Sequence, residues 1–551
     1  MTNGAQALVR TLIDAGVTAC FTNPGTSEMH FVAALDTAPE MRAVLTLFEG
    51  VATGAADGYA RMAGKPAATL LHLGCGLGNG LANLHNARKA RVPIINIVGD
   101  HATTHVQFDA QLQSDIETVA RNVSPWVRTS ASTQALCQDA VEAVAAATAT
   151  PNAVATLILP ADVSWGEGAV PVPPLARVVP PVASTDTITT VAQALNGNGK
   201  VAFLLGGQAL RAPALLIASR ISEATGAVLH AEVFPTRMER GAGLPYIERI
   251  AYLAELASVQ LAGLEHLILV DAKAPVSFFA YPGKKSFLVP DGCTVHTLAA
   301  FDQDALGSLQ ALLTQLKAQN VAPALMAPAV PARPSGALSA DKVCQAVAAV
   351  LPARAIISDE AQTSGVTLAK HTAHAPQHDL LTLTGGAIGQ SLPVAVGAAI
   401  ACPDRQVFAL VGDGSAMYTI QALWTMAREQ LNIITVVFNN RSYAILNMEL
   451  ERVGADTVGP IAKSQLDLST PALDFVAMGN GLGVHSVRAA NCEQLNAALD
   501  FALAHAGPHL IEVIVPNAFS GLKLKALPHV LGALDKMPQP LAKMLKRKIS
   551  P

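Results

Sequence analysis

The chain has 551 residues, 51% hydrophobic and only 14% charged, with a formal net charge of −4. That length exceeds one hydrophobic core and predicts about two to four domains, while the apolar balance excludes extensive disorder. The weak negative charge excludes the basic field that nucleic-acid binding needs, so no nucleic-acid partner is expected.

In chain order, short β-branched runs alternate with Ala- and Leu-rich helical stretches, the pattern of βαβ units building parallel sheets. Strands are predicted first at Ala19–Thr22, Ala43–Phe48, Ala67–Leu73 and Ile94–Val98. The glycine-rich run Gly74–Gly80 reads as a loop, but gives GxGxGxG rather than GxGxxG, with no acid about 20 residues on, against a dinucleotide site. His101 and His105 form an HxxxH pair, a weak metal signal, and stand as secondary candidates for substrate contact.

Pro-rich stretches at Pro171–Pro181 and Pro323–Pro334 read as linkers. They predict an α/β protein of three doubly wound parallel-sheet domains: residues 1–170, a middle domain at 185–320, and a third at 336–520. The third has strands at Ala355–Ser358, Val407–Val411, Ile433–Phe438 and Leu510–Val515, and a helix from Ala416 to Glu429. The basic tail, 521–551, carries Lys523, Lys525, Lys536, Lys543, Lys546, Arg547 and Lys548 against Asp535. It reads as a solvated, partly helical end, with closure over an active site as the other reading.

The seven cysteines lack CxxC spacing, disfavouring zinc and disulfides. Met1–Gly16 lacks a basic start before an apolar core, and no apolar run approaches the ~18 residues of a membrane span. A cytoplasmic protein with no membrane partner is expected.

The strongest local signal is Gly412-Asp413-Gly414-Ser415 at the end of one predicted strand, followed by Asn439-Asn440 at the end of the next. A βαβ crossover brings Asp413 and Asn440 to the same carboxyl edge, where open α/β sheets bind ligands. A carboxylate and an amide oxygen there suit magnesium in company with phosphates, and the glycines allow close backbone approach.

GDG followed by NN at this spacing resembles the signature of thiamine-diphosphate enzymes. The resemblance implies that Asp413, Asn440 and the Ser442 carbonyl bind Mg2+. The string Glu49-Gly-Val-Ala-Thr-Gly-Ala-Ala-Asp-Gly-Tyr-Ala-Arg61 resembles the pyrimidine-binding segment of the decarboxylase and acetohydroxyacid synthase branch. This makes Glu49 the carboxylate beside the aminopyrimidine nitrogen. In Thr384–Pro393, Ile388 matches the residue that bends the cofactor and Gly386 the carbonyl that receives its amino group. Pro24, Gly25, Asn79, Gln362, Thr363, Gly412, Gly414, Ser415, Tyr418, Tyr443, Ala444 and Ile445 complete the implied thiamine-diphosphate contacts. The branch further implies a homo-oligomer, dimer or tetramer, with Glu49 of one subunit serving the cofactor anchored on its partner.

Thr26 in Asn23-Pro-Gly-Thr-Ser-Glu28, and His72, resemble the hydroxyl and histidine that handle carboxylate and protons in benzoylformate decarboxylase. That enzyme's second histidine has no counterpart in Ala274–Gly283, which argues against fast protonation of an aldehyde-forming intermediate and favours a carboligase or lyase. Ile445 and Leu446 imply an apolar acyl pocket. The middle domain offers nothing like a phosphate loop beyond Gly206-Gly207, so FAD is not expected. The expected function is a 2-oxo acid decarboxylase or carboligase. The alternatives are an acetolactate-synthase-like transferase, a 2-hydroxyacyl-CoA lyase, or a weakly active thiamine-diphosphate-binding protein.

Overall fold

The computed structural model describes residues 2–281, 284–453, 459–517, 521–534 and 537–549. Three sheets follow one another along the chain. The first comprises β1 (Ala19–Asn23), β2 (Arg42–Leu45), β3 (Ala67–Leu71), β4 (Ile94–Asp100), β5 (Trp126–Thr129) and β6 (Val154–Pro160), all parallel in the order β2-β1-β3-β4-β6-β5. The order reverses between β1 and β3, so the loops leaving these two strands open a crevice at their carboxyl ends.

The middle sheet is β7 (Val201–Leu205), β8 (Val228–Ala231), β10 (Glu248–Arg249), β11 (His266–Val270) and β12 (Thr294–Ala299), again parallel. A strand from this segment, β9 (Met238–Arg240), leaves it and pairs antiparallel with β14 (His378–Thr382). The third sheet is thus parallel except at that edge. Its other strands are β13 (Ile356–Glu360), β15 (Val407–Gly412), β16 (Ile433–Asn439), β17 (His485–Ala489) and β18 (His509–Ile514), in the order β17-β18-β16-β15-β13-β14-β9. Here the reversal lies between β13 and β15.

Near-continuous apolar burial along β4, β15 and β16 reflects sheets covered on both faces by helices. The first and third segments share a core, because helix Glu49–Ala63 packs against helix Ser391–Ala401. A Cβ on Gly58 would stand 2.1 Å from the Val394 carbonyl oxygen, and one on Gly397 would stand 1.9 Å from that of Ala55. Glycine at both positions lets the two backbones touch.

At the end of the same helix, Arg61 is fully buried and clasps Asp57 through Nε and Nη2, both at 2.7 Å. Its Nη1 donates to the carbonyls of Thr236 and Thr382, from the middle and third segments. One ion pair therefore stitches all three segments.

Four expectations are corrected. Strand β2 stops at Leu45, short of Phe48. The predicted helix Ala416–Glu429 is two pieces, Asp413–Ala416 and Ala422–Arg428, because the chain between them turns in to pack Tyr418 and Thr419 on Gly389. Gly74–Gly80 is helical, within Leu73–Ala90; its glycines serve close packing, with Thr53 against Gly80 and Ser114 against Gly74. The tail is not a solvated end: helices Gly521–Ala533 and Gln539–Ile549 pack on the middle segment and on helix Ala444–Arg452. Asp535, Lys536 and the side chains of Lys523, Lys525 and Lys548 lie outside the described residues. No described helix is long and apolar enough to cross a membrane.

Candidate active site

The reversal between β13 and β15 places Gln362 and Thr363, just after one strand, beside Asp413, just after the other. Pairing of β15 with β16, Gly412 opposite Phe438, brings Asn440 to the same edge. These residues open into a cavity of about 560 Å³. Every candidate from Gln362 to Ile445 lines it: Gln362, Thr363, Gly386, Ile388, Gly412, Asp413, Gly414, Ser415, Tyr418, Asn440, Ser442, Tyr443, Ala444 and Ile445.

Local hydrogen bonds aim the oxygens. Asp413 accepts the Gly414 N–H at 2.9 Å on one oxygen and the Arg441 N–H at 2.6 Å on the other. Burial raises its carboxyl above the usual range, and the backbone N–H donors partly offset this. The Asn440 side-chain oxygen accepts the Ser442 N–H at 3.0 Å. Arg441, between them, holds φ +59°, and Gln362 holds φ +52°, so left-handed backbone at non-glycine residues clusters at this edge. Of the Asn pair, Asn439 is structural, donating to buried Glu512 at 2.6 Å. The Tyr443 ring covers Gly414, where a Cβ would meet it at 2.3 Å.

The loop with Gly386 (φ +78°) and Ile388 is braced by the first segment: Asn86 donates to the Ala387 carbonyl at 2.8 Å and Asn83 to that of Gly389 at 3.2 Å. Phe278 of the middle segment lies against Gly386 and joins Phe234, Tyr252 and Phe279 in an aromatic cluster. This is the stretch expected to lack a histidine; it presents Phe278 and Phe279 to the cavity, while Pro282 and Gly283 lie outside the described residues. The tail contributes Leu527, Lys546 and Ile549, and buried Lys546 pairs with Glu248.

The first-segment candidates form a separate group, and none of them lines this cavity. Glu49 opens its helix, is 8% exposed, and accepts from Asn79 at 3.0 Å. Gly76 lies close by, where a Cβ would stand 3.2 Å from the Glu49 carboxylate. At the β1/β3 crevice, His72 meets fully buried Glu28, Nδ1 to Oε2 at 2.9 Å. Glu28 also accepts the Gly25 N–H at 2.6 Å and the Ser27 hydroxyl at 2.8 Å. A carboxylate only accepts, so Nδ1 is the ring nitrogen suited to donate to Glu28, which leaves Nε2 for a ligand.

Thr26 is exposed at the first position of a short 3-10 turn, and Pro24 is half-buried in the same loop. Sequence reasoning passed over Ser27 and Glu28, although the quoted loop contained them; an acid closing a loop opposite a strand-end histidine was the available signal. His101 and His105 pack against each other at a tilt, centroids 5.2 Å apart, and neither lines the cavity. No group of three or more metal-binding side chains occurs among the described residues.

Comparison with known proteins decides what this arrangement belongs to. A thiamine pyrophosphate enzyme N-terminal TPP binding domain matches residues 2–121, and the C-terminal TPP binding domain matches residues 362–513. A Mycobacterium tuberculosis protein named "Putative acetolactate synthase large subunit IlvX" is 54% identical over 524 residues, covering 94% of this chain and 99% of that one. The chain belongs to the thiamine pyrophosphate enzyme family, in its decarboxylase and acetolactate synthase branch.

Benzoylformate decarboxylase from Pseudomonas aeruginosa is 29% identical over 527 residues, covering 90% of this chain and 96% of that one. The same fold occurs in a Rhodococcus jostii thiamine diphosphate-dependent 4-hydroxybenzoylformate decarboxylase, with TM-score 0.81, 24% identity, and coverage of 94% and 99%. Glu49 falls within the stretch matched by the N-terminal TPP binding domain, and Asp413 and Asn440 within the stretch matched by the C-terminal one. The donor set fits the cofactor: a buried carboxylate, an amide oxygen and glycines open to phosphate meet at one edge.

Proposed function

We propose that the protein is a thiamine-diphosphate- and magnesium-dependent 2-oxo acid decarboxylase/carboligase, a carbon–carbon lyase working as a dimer or tetramer. The observation that carries this reading is the separation of the two halves: the Asp413 cavity contains no first-segment residue, and Glu49 stands buried elsewhere in the chain. A second copy supplying Glu49, His72 and Thr26 across a subunit interface completes the site.

When bound, thiamine diphosphate supplies the carbon nucleophile and the electron sink for carbon–carbon cleavage. Asp413, Asn440 and the Ser442 carbonyl hold Mg2+ and through it the diphosphate. One lone pair of that carbonyl takes the Ala444 N–H at 2.9 Å, leaving the other for the ion. Glu49, positioned by Asn79, would hold a proton beside the cofactor's aminopyrimidine ring. His72 Nε2 takes or gives the substrate's proton, with Glu28 holding the imidazole in register. Thr26 meets the substrate carboxylate. Phe278 and Phe279 offer no proton from the middle segment, which favours carbon–carbon ligation over rapid release of an aldehyde.

An acetolactate-synthase-like transferase is the second reading, favoured by the name of the 54%-identical relative. Incubation with Mg2+, thiamine diphosphate and a panel of 2-oxo acids, with carbon dioxide, aldehyde and acyloin measured separately, decides between them. Acetolactate from pyruvate puts the second reading first, and inertness toward every 2-oxo acid refutes both. Glu49→Gln is expected to abolish turnover while retaining cofactor affinity; full turnover in that variant overturns the assignment of Glu49.

A further inference from the structure

The cavity wall also includes Arg240, Arg249 and Asp359, which lie close enough to one another to interact electrostatically. Arg240 ends β9 and is 5% exposed; its Nη2 donates to the Ala369 carbonyl, but its Nε is buried without a partner. Arg249 ends β10, and among the described residues its side chain makes no hydrogen bond or ion pair. Asp359 accepts the Ala361 N–H at 3.1 Å, and neither guanidinium pairs with it within the 4.0 Å of an ion pair.

Three other arginines with little-exposed side chains are paired with carboxylates. Arg61 clasps Asp57, Arg405 reaches Asp379, and Arg452 is held between Glu255 and Glu449. Asp359 is the carboxylate both guanidiniums feel, and it pairs with neither, so buried Arg240 and half-buried Arg249 stand in this part of the cavity wall without an ion-pair partner, an arrangement that an entering anion relieves. A guanidinium presents its N–H groups as a planar fork that matches carboxylate and phosphate oxygens.

We propose that Arg240 and Arg249 form a binding site for a small molecule bearing a carboxylate or phosphate, in the same cavity as the cofactor anchor but separate from it. Asp359 limits the site's positive charge. The site is independent of which 2-oxo acid reacts at the Asp413 end.

The test is equilibrium dialysis of labelled inorganic phosphate and labelled malonate against the protein saturated with thiamine diphosphate and Mg2+, at ionic strength fixed with chloride. Saturable binding of at least one probe is expected, and its identity separates a phosphate ligand from a carboxylate one. Arg249→Met should weaken that binding about tenfold or more, and Asp359→Asn should tighten it. Absence of saturable binding up to about 10 mM of both probes overturns the proposal. So does binding that Arg249→Met and Asp359→Asn leave unchanged, or binding displaced by further thiamine diphosphate, which belongs to the anchor.

Discussion

Removing the Asp57 carboxylate tests what holds the three segments in register. In Asp57→Ala, Arg61 keeps its carbonyl acceptors at Thr236 and Thr382 but loses the two 2.7 Å bonds that compensate its charge, in a site with no solvent exposure. Gln390 also loses its acceptor, at 2.8 Å. Leaving such a charge unpaired costs about 3–5 kcal/mol, against about 0.5 kcal/mol for an ordinary surface substitution. With the steep denaturant dependence of a chain this long, the urea midpoint should fall by roughly half a molar. Circular dichroism and tryptophan fluorescence follow the transition. Arg61→Met and the double variant Asp57→Ala/Arg61→Met complete a cycle, in which the pair should couple by about 2 kcal/mol or more. A midpoint for Asp57→Ala within the range of surface substitutions, or additive single variants, refutes the idea that this pair joins the segments.

Gly397→Ala forces a methyl group into the Ala55 carbonyl, so the variant should lose about 1–3 kcal/mol, read as a lower thermal midpoint; unchanged stability would mean the two helices separate without cost. His378 is buried beside Arg240, and burial drives its pKa down to about 4. It stays neutral in the folded chain while the unfolded chain gains a proton near pH 6.5, so stability is lost as pH falls from about 6.5 to about 4, by roughly 2–3 kcal/mol. His378→Gln should flatten that part of the stability–pH curve, and an unchanged slope removes His378 as its source. Sedimentation should find a dimer or tetramer; an active monomer contradicts the shared site.

The βαβ grammar was legible because strands buried on both faces are apolar runs and their helices are Ala-rich. Asp413 and Asn440 were legible as neighbours at one edge because residues immediately after adjacent parallel strands share the carboxyl edge, as their place on the cavity wall bears out. The glycine run at 74–80 misled, since glycine serves close packing as well as turns, and only a neighbour such as Thr53 or Ser114 distinguishes the two. The path of β9 out of its own segment was equally invisible, because a three-residue strand carries too little pattern to name its partner.

The sequence by itself determined the cofactor family and the parallel sheets, and it marked the candidate residues of the site, all of which depend on local pattern and short spacing. Only the tertiary structure decided that Glu28 backs His72, that the tail covers the cavity, that Arg240 and Arg249 share a pocket without carboxylate partners, and that Glu49 stands apart from Asp413. Those relations join residues tens to hundreds of positions apart, and strand order and domain packing, which no local pattern encodes, set their distances.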